Sequence, residues 1–238
     1  MSVTYVATRR VDPSVKPYPL ALVLLAGGNG VLQIGPNGHI NSPRLNFLIR
    51  SRPHFLLSGV AMVVAVGAPS DHAQGMLGNF RLSAAHAEDL AKVIGDVKQS
   101  TGLTVWLVGT SSGTLSAANA AARGIAPTTA GLVLTSSQTE LVPGLCGRTV
   151  SHAKLAAITT PVFVAAHSND HCGCSPPSRA DDLVAALSGA SKAQAKFFAG
   201  GWPPKDRDPC EAQTPHGFYG IEKGVTKAIV DWIKPLLP

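Results

Sequence analysis

The sequence predicts an α/β fold, a single domain over residues 1–238 built on a doubly wound, mainly parallel sheet of about six or seven strands with helices on both faces. Three observations carry this. Apolar runs of strand length recur along the chain. They are continuous rather than alternating, as in strands covered on both sides. Segments with helical spacing lie between them.

The strand-like runs are Leu20–Ala26, Val60–Val66, Thr104–Val108, Gly131–Leu134, Val162–Ala166 and Ala195–Ala199, each bounded by Gly, Pro, Ser or Asp, and Val3–Ala7 adds an edge strand. Ala87, Leu90, Val93, Ile94 and Val97 follow helical spacing. Ser178 with Asp181 three residues later has the pattern of a capping box opening a helix over Ala180–Leu187, with Asp181 and Asp182 in its first turn. Ile221, Val225, Ala228, Ile229, Trp232 and Ile233 make one apolar face, and Pro235 ends that helix. No internal repeat, low-complexity tract or linker interrupts the alternation.

Composition narrows the function classes. The 238 residues are 45% hydrophobic and 14% charged, with mean hydropathy +0.18. That charge fraction is low against a typical value of about 25%, so the chain folds and buries much of itself. A net charge of +6 and a pI near 9.3 suggest nucleic acid. Lys and Arg are scattered, however, in nothing denser than pairs such as Arg9-Arg10, and 5% aromatics leave no surface on which bases could stack. A mildly basic soluble protein without a nucleic-acid partner is the expectation. No apolar run reaches the roughly 18 residues of a membrane span. Leu20–Ala26, preceded by Arg9, Arg10 and Lys16, has the order of a signal peptide, but Pro13, Pro17 and Pro19 interrupt its approach and no cleavage site follows. It reads as a core strand.

In open α/β sheets, sites gather at the carboxyl ends of strands. Four such ends here carry unusual residues: Gly27-Gly28-Asn29-Gly30, Gly109-Thr110-Ser111-Ser112-Gly113, His167-Ser168-Asn169-Asp170, and Pro215-His216-Gly217-Phe218 before the last helix. Gly-x-Ser-x-Gly is expected by chance about 0.2 times in such a chain, so alone it is a weak signal. Its place between a strand and a small-residue, Ala-rich segment strengthens it. A strand turning sharply into a helix needs residues without bulk on either side, which Gly109 and Gly113 supply, leaving Ser111 exposed at the tip. Ser112 then opens the helix with a free N–H. A plain Gly/Ser turn is the alternative. A serine hydroxyl needs a base, and the base needs an orienting group. His216, after the last strand, suits the first role better than His152, His167 or His171. Asp170 suits the second.

The order Ser111, Asp170, His216 on an alternating sheet resembles the α/β-hydrolase superfamily over nearly the full length, in the style of its compact esterase and dienelactone-hydrolase-like branch. True dienelactone hydrolases resemble this plan but use Cys where Ser111 stands. The resemblance implies a serine hydrolase cleaving carboxylic esters through an acyl-enzyme, with Ser111, His216 and Asp170 as triad, a small-molecule ester substrate and no cofactor. It likens Gly27–Gly30 to the family's oxyanion loop, with Ala26-Gly27 in place of the usual His-Gly. Asn29 and then Gly28 are the favoured N–H donors beside Ser112. An amidase, peptidase or thioesterase with the same triad, or an inactive hydrolase-like binding protein, are the alternatives. Lid domains of this superfamily are inserted between the strands ending near Ser137 and starting at Val162. Here Val150–Ile158 reads as a crossover helix and Gln138–Thr149 as a short loop, so no large lid is expected. The mouth should be open, bounded by the 29–42 and 69–80 loops and a cysteine rim.

That rim is formed by Cys172, Cys174 and Cys210 beside Asp170 and His216, with Cys146 the fourth cysteine. Disulfides, free thiols and zinc are all open on sequence. Disulfides, with Cys210 bonded to Cys172 or Cys174, are favoured because the count is even and the loops converge. Zinc, which would use Cys172, Cys174 and Cys210 with His171, is disfavoured by the one-residue gap between Cys172 and Cys174. Disulfides would suit a periplasmic or secreted protein, free thiols a cytoplasmic one.

Overall fold

Residues 2–9, 16–41, 45–76, 79–124 and 129–238 are described by the computed structural model. Arg10 and Pro13, Ser42 at the end of the 29–42 loop, and residues 77–78 within the 69–80 loop lie outside the described residues. Seven strands form one sheet: β1 (Tyr5–Arg9), β2 (Tyr18–Leu25), β3 (Val60–Val66), β4 (Thr104–Thr110), β5 (Thr129–Thr135), β6 (Val162–His167) and β7 (Ala193–Phe198). Their order is β1-β3-β2-β4-β5-β6-β7, with β1 antiparallel to β3 and every other pair parallel.

Two apolar layers sandwich the sheet, and β2 shows how. Ala21, Val23 and Leu25 face one layer while Leu20, Leu22 and Leu24 face the other. The first layer is roofed by α3 (Ala84–Thr101), α4 (Gly113–Ala122) and α5 (Ala180–Ala186), and the second by α1 (Phe47–Arg50), α2 (Arg52–Leu57) and α6 (Glu222–Ile233). The continuous apolar runs follow directly: residues pointing either way meet helices. β7, at the edge, is only partly buried.

Helix ends obey local chemistry. Ser83 accepts from the His86 N–H at the start of α3, and Gly102 closes it in the left-handed conformation at φ +68°. The capping box expected at Ser178 does not form. Ser178 lies inside a short 3-10 turn, Pro177–Arg179, and α5 starts after Arg179 with no side-chain cap. The expected crossover helix over 150–158 is likewise replaced by two 3-10 turns, Val150–His152 and Leu155–Ala157. His152 Nδ1 accepts from the Thr149 N–H and closes the first turn, and extended Ala153 prevents its continuation. The 138–149 segment is a short loop with a bridge between Val142 and Cys146. Among the described residues no helix is long and apolar enough to cross a membrane.

The register sets Leu25 of β2 beside Gly109 of β4, Gly109 beside Leu134 of β5, and Thr135 beside Ala165 of β6. The carboxyl ends of these strands therefore open onto one edge. The β4–α4 turn packs so closely there that a Cβ on Gly113 would collide with the carbonyl oxygen of Leu25. Gly113→Ala should accordingly cost about 1–3 kcal/mol through overpacking against backbone, a fall in Tm of several degrees for a chain of this size. Scanning calorimetry checks this, and an unchanged Tm would contradict it.

Candidate active site

Ser111 stands at the tip of the β4–α4 turn with φ +52°, a left-handed conformation that a serine adopts at a cost of order 1–3 kcal/mol. The surroundings enforce it. A Cβ on Gly109 would come within 2.6 Å of the Gly113 carbonyl oxygen, so only glycine lets the chain double back here. The Ser111 N–H donates to Thr135 O at 3.0 Å, which ties the turn to β5. Gly27 lies alongside, where a Cβ would be 2.9 Å from Ser111 Cβ.

Asp170 and His216 arrive from different loops and meet in a buried pair, with Nδ1 to Oδ2 at 2.8 Å and side chains 2% and 5% exposed. The other oxygen, Asp170 Oδ1, accepts from the Cys172 N–H at 2.9 Å. His216 Nε2 is buried without a partner. It lines the same cavity as Ser111, and no hydrogen bond joins them in this state, as is common in unliganded sites. Two features hold His216 that sequence reasoning missed. Its N–H donates to Thr214 Oγ1 at 3.1 Å, and its carbonyl accepts from Ser136 Oγ at 2.7 Å. Ser136, at φ +43°, is a second left-handed non-glycine residue at a strand end, and no sequence motif marks it. The histidines set aside on sequence have other work. His167 is satisfied by Gly200 O and the Asn169 N–H, His152 caps a turn, and His171 is exposed.

The cavity at Ser111 measures about 210 Å³ and is walled by Gly27, Gly28 and Asn29, by Asn46 and Phe47 at the start of α1, and by Cys210 to Ala212. A larger cavity of about 410 Å³, lined by Arg81, Leu115, Gln138 and Arg148 among others, lies behind the Gly28 peptide and Ser112. Ser112 is the N-cap of α4 rather than its first turn, and its hydroxyl, instead of capping the helix, donates to Gly28 O at 2.8 Å. Arg81 Nη2 donates to the same carbonyl at 3.1 Å and to Ala26 O at 3.1 Å. In a trans peptide the C=O and the following N–H point in opposite directions. The Asn29 N–H therefore turns away from Arg81 and the Ser112 hydroxyl, and Asn29 lines the cavity of Ser111. Among the described residues neither it nor the Ser112 N–H has a hydrogen-bond partner.

Arg81 also donates to Ser116 Oγ at 2.9 Å, and Ser116 Oγ lies 2.9 Å from His86 Nε2. Burial lowers the Arg81 guanidinium to about 10. Burial, and secondarily the charge of Arg81, lower His86 to about 3. His86 is therefore neutral, and its Nε2 shares a hydrogen bond with the serine hydroxyl.

The cysteines form two disulfides, Cys172–Cys210 and Cys146–Cys174. The first bonds the Asp170 loop to the His216 loop across 38 residues, with Cα atoms 4.6 Å apart. The sulfurs of Cys172, Cys174 and Cys210 lie within 4.8 Å of one another, each already bonded within a disulfide.

Two measurements test this network. Four thiols should titrate in denaturant only after reduction, and replacing Cys172 and Cys210 together by serine should cost about 2–4 kcal/mol; four free thiols without reductant would contradict it. His86 sets a pH dependence. Its folded pKa is about 3 against 6.5 unfolded, so between those values the unfolded chain binds a proton that the folded chain does not. Stability should fall as pH drops below about 6.5, at no more than about 1.4 kcal/mol per unit from this group. Urea unfolding at pH 7 and pH 5 should show a smaller difference for His86→Gln than for the native protein.

No family model and no curated protein sequence matches the chain. Solved structures do. An α/β serine hydrolase without a lid from Xanthomonas campestris superposes with a TM-score of 0.64 at 14% identity, covering 99% of this chain and 90% of that one. A lipase-esterase related protein from Clostridium acetobutylicum gives 0.65 at 13%, covering 97% and 99%. A carboxylesterase from Lactobacillus plantarum gives 0.62 at 13%, covering 99% and 94%. At such identities the likeness is one of architecture, and with the strand order and the strained serine turn it settles the fold: this chain has the α/β-hydrolase fold, with no large lid among its described residues.

Proposed function

We propose that the protein, acting as one domain, is a serine hydrolase that cleaves small carboxylic esters through an acyl-enzyme. The observation that carries this reading is the convergence of a strained, half-buried Ser111 and a buried Asp170–His216 pair with a free Nε2 on one small cavity. Esterase names among the structural neighbours support it.

In this mechanism Ser111 Oγ attacks the acyl carbonyl as His216 Nε2 takes its proton. Asp170 holds Nδ1–H, fixes the tautomer and stabilises the imidazolium. The negative oxygen of the tetrahedral intermediate is received by the N–H groups of Ser112 and Asn29, with Gly28 next to them, each donor contributing a few kcal/mol. His216 protonates the departing alcohol. Water, activated by the same imidazole, then releases the acid and regenerates Ser111.

A fluorophosphonate should label the native protein on Ser111, and Ser111→Ala should abolish labelling and lower kcat by about 10⁴-fold or more while Tm is retained. Loss of activity in Ser112→Ala with Ser111→Ala still active would overturn the assignment. The cavity at Ser111, about 210 Å³, is small beside ordinary ligand pockets of about 300–1,000 Å³. Among p-nitrophenyl acetate, butyrate, octanoate and palmitate, kcat/KM should be highest for the short acyl chains, without a jump at the micelle threshold. Rates rising toward palmitate would show that the larger cavity takes the acyl chain.

A further inference from the structure

We infer that Arg81 is a positioning residue for the oxyanion-binding peptide, a buried cation that holds Gly28–Asn29 against α4 and finds its counter-charge only when the ester carbonyl becomes an oxyanion. The inference rests on the serine-hydrolase reading above and goes beyond it.

Arg81 is 2% exposed, and among the described residues no carboxylate pairs with it. Buried guanidinium groups are ordinarily paired, because an uncompensated charge away from water is costly. Here every acceptor is neutral: Ala26 O, Gly28 O and Ser116 Oγ, with Nε buried and unpartnered. A side chain needed only to fill this volume would be cheaper as Met or Leu.

What distinguishes the position is what the guanidinium grips. Two of its bonds go to the loop that carries the Asn29 N–H, and one goes to Ser116 on the helix that follows Ser112. Both donors of the oxyanion hole are thus fixed relative to each other by one rigid, planar group. Gly30, at φ +73°, lets the loop wrap it, since a Cβ there would come 2.6 Å from Arg81 Nη2. The charge also matters. A charged donor on the Gly28 carbonyl polarises that peptide and strengthens its other end, the Asn29 N–H. A neutral ester gains little from this, whereas an oxyanion in the same low-dielectric site gains much, so the benefit falls on the transition state.

The test compares Arg81→Met with Arg81→Lys, which keeps the charge and loses the fork. For folded Arg81→Met, kcat on p-nitrophenyl acetate should fall about 10²-fold with KM within about twofold. The inhibition constant of phenylboronic acid, whose adduct on Ser111 is anionic and tetrahedral, should rise by the same factor. Arg81→Lys should recover about tenfold of both. A loss carried by KM, unchanged boronate binding, or a Lys variant no better than Met would overturn the inference and leave Arg81 a packing residue. If Arg81→Met does not fold, Arg81→Lys against the native protein decides by the same comparison, with boronate binding required to weaken in step with kcat. Fluorophosphonate labelling of native Ser111 separates the two claims: no labelling sinks the hydrolase reading itself, and labelling with the wrong Arg81 pattern sinks only this inference.

Discussion

The close approach of the β4–α4 turn to the end of β2 is the constraint on which the site depends. Gly109 and Gly113 allow backbone to touch backbone, and Ser111 is left with no conformation but the left-handed one. Side chains cannot enter that contact, so the hydroxyl is forced out toward the cavity. The strain is sustained by the sheet beneath it, since β4 is the central strand, buried on both faces and bonded to β2 and β5 along its length. A strained serine turn on an edge strand would have fewer neighbours to hold it.

Around this fixed point the remaining groups are secured by different physics. Asp170 is held by a backbone N–H and its pairing with His216, and His216 by Ser136 and Thr214. The Gly28 peptide is held by Ser112 and Arg81. Core packing sets the sheet, and polar bonds at its carboxyl edge set the site. Arg81 and His86, buried groups whose pKa values burial lowers, belong to that polar set rather than to Ser111, Asp170 and His216.

The strands and their direction were legible because a parallel sheet covered on both sides must read as continuous apolar runs. Ser111, Asp170 and His216 stood out because each follows a strand and carries chemistry that a turn does not need. The helices at 47–57 were not read, since Arg50, Arg52 and Pro53 break their apolar pattern and the packing of Phe47, Leu48 and Phe55 under the sheet is tertiary. The 150–158 segment has helical composition, and Thr149 and His152 cap its first turn, yet extended Ala153 ends it there. Arg81 and Ser136 are single residues without a motif, and only the fold shows what they touch. The pairing of Cys146 with Cys174 was equally hidden, because a loop's return across 28 residues leaves no local trace.

The stretch between β7 and His216 is long and irregular, with Gly200, Gly201, Pro203, Pro204 and Pro209, and little apolar packing anchors it. It is pinned at separate points: the Trp202 N–H on Tyr219 O, the Lys205 N–H on Gln213 O, and Cys210 on Cys172. Between Lys205 and Gln213 the chain leaves and returns to the same spot, and only its exposed tip at Arg207 and Asp208 stands clear of the site, because Cys210 to Ala212 wall the cavity and the carbonyls of Pro209 and Glu211 accept from Thr214 Oγ1, which in turn receives the His216 N–H. That tip is a natural place for length and surface chemistry to diverge while the Asp170–His216 pair stays where it is. Length added at that tip changes what meets solvent beside the mouth, while the inner return stays committed to the cavity wall and to the brace beneath His216.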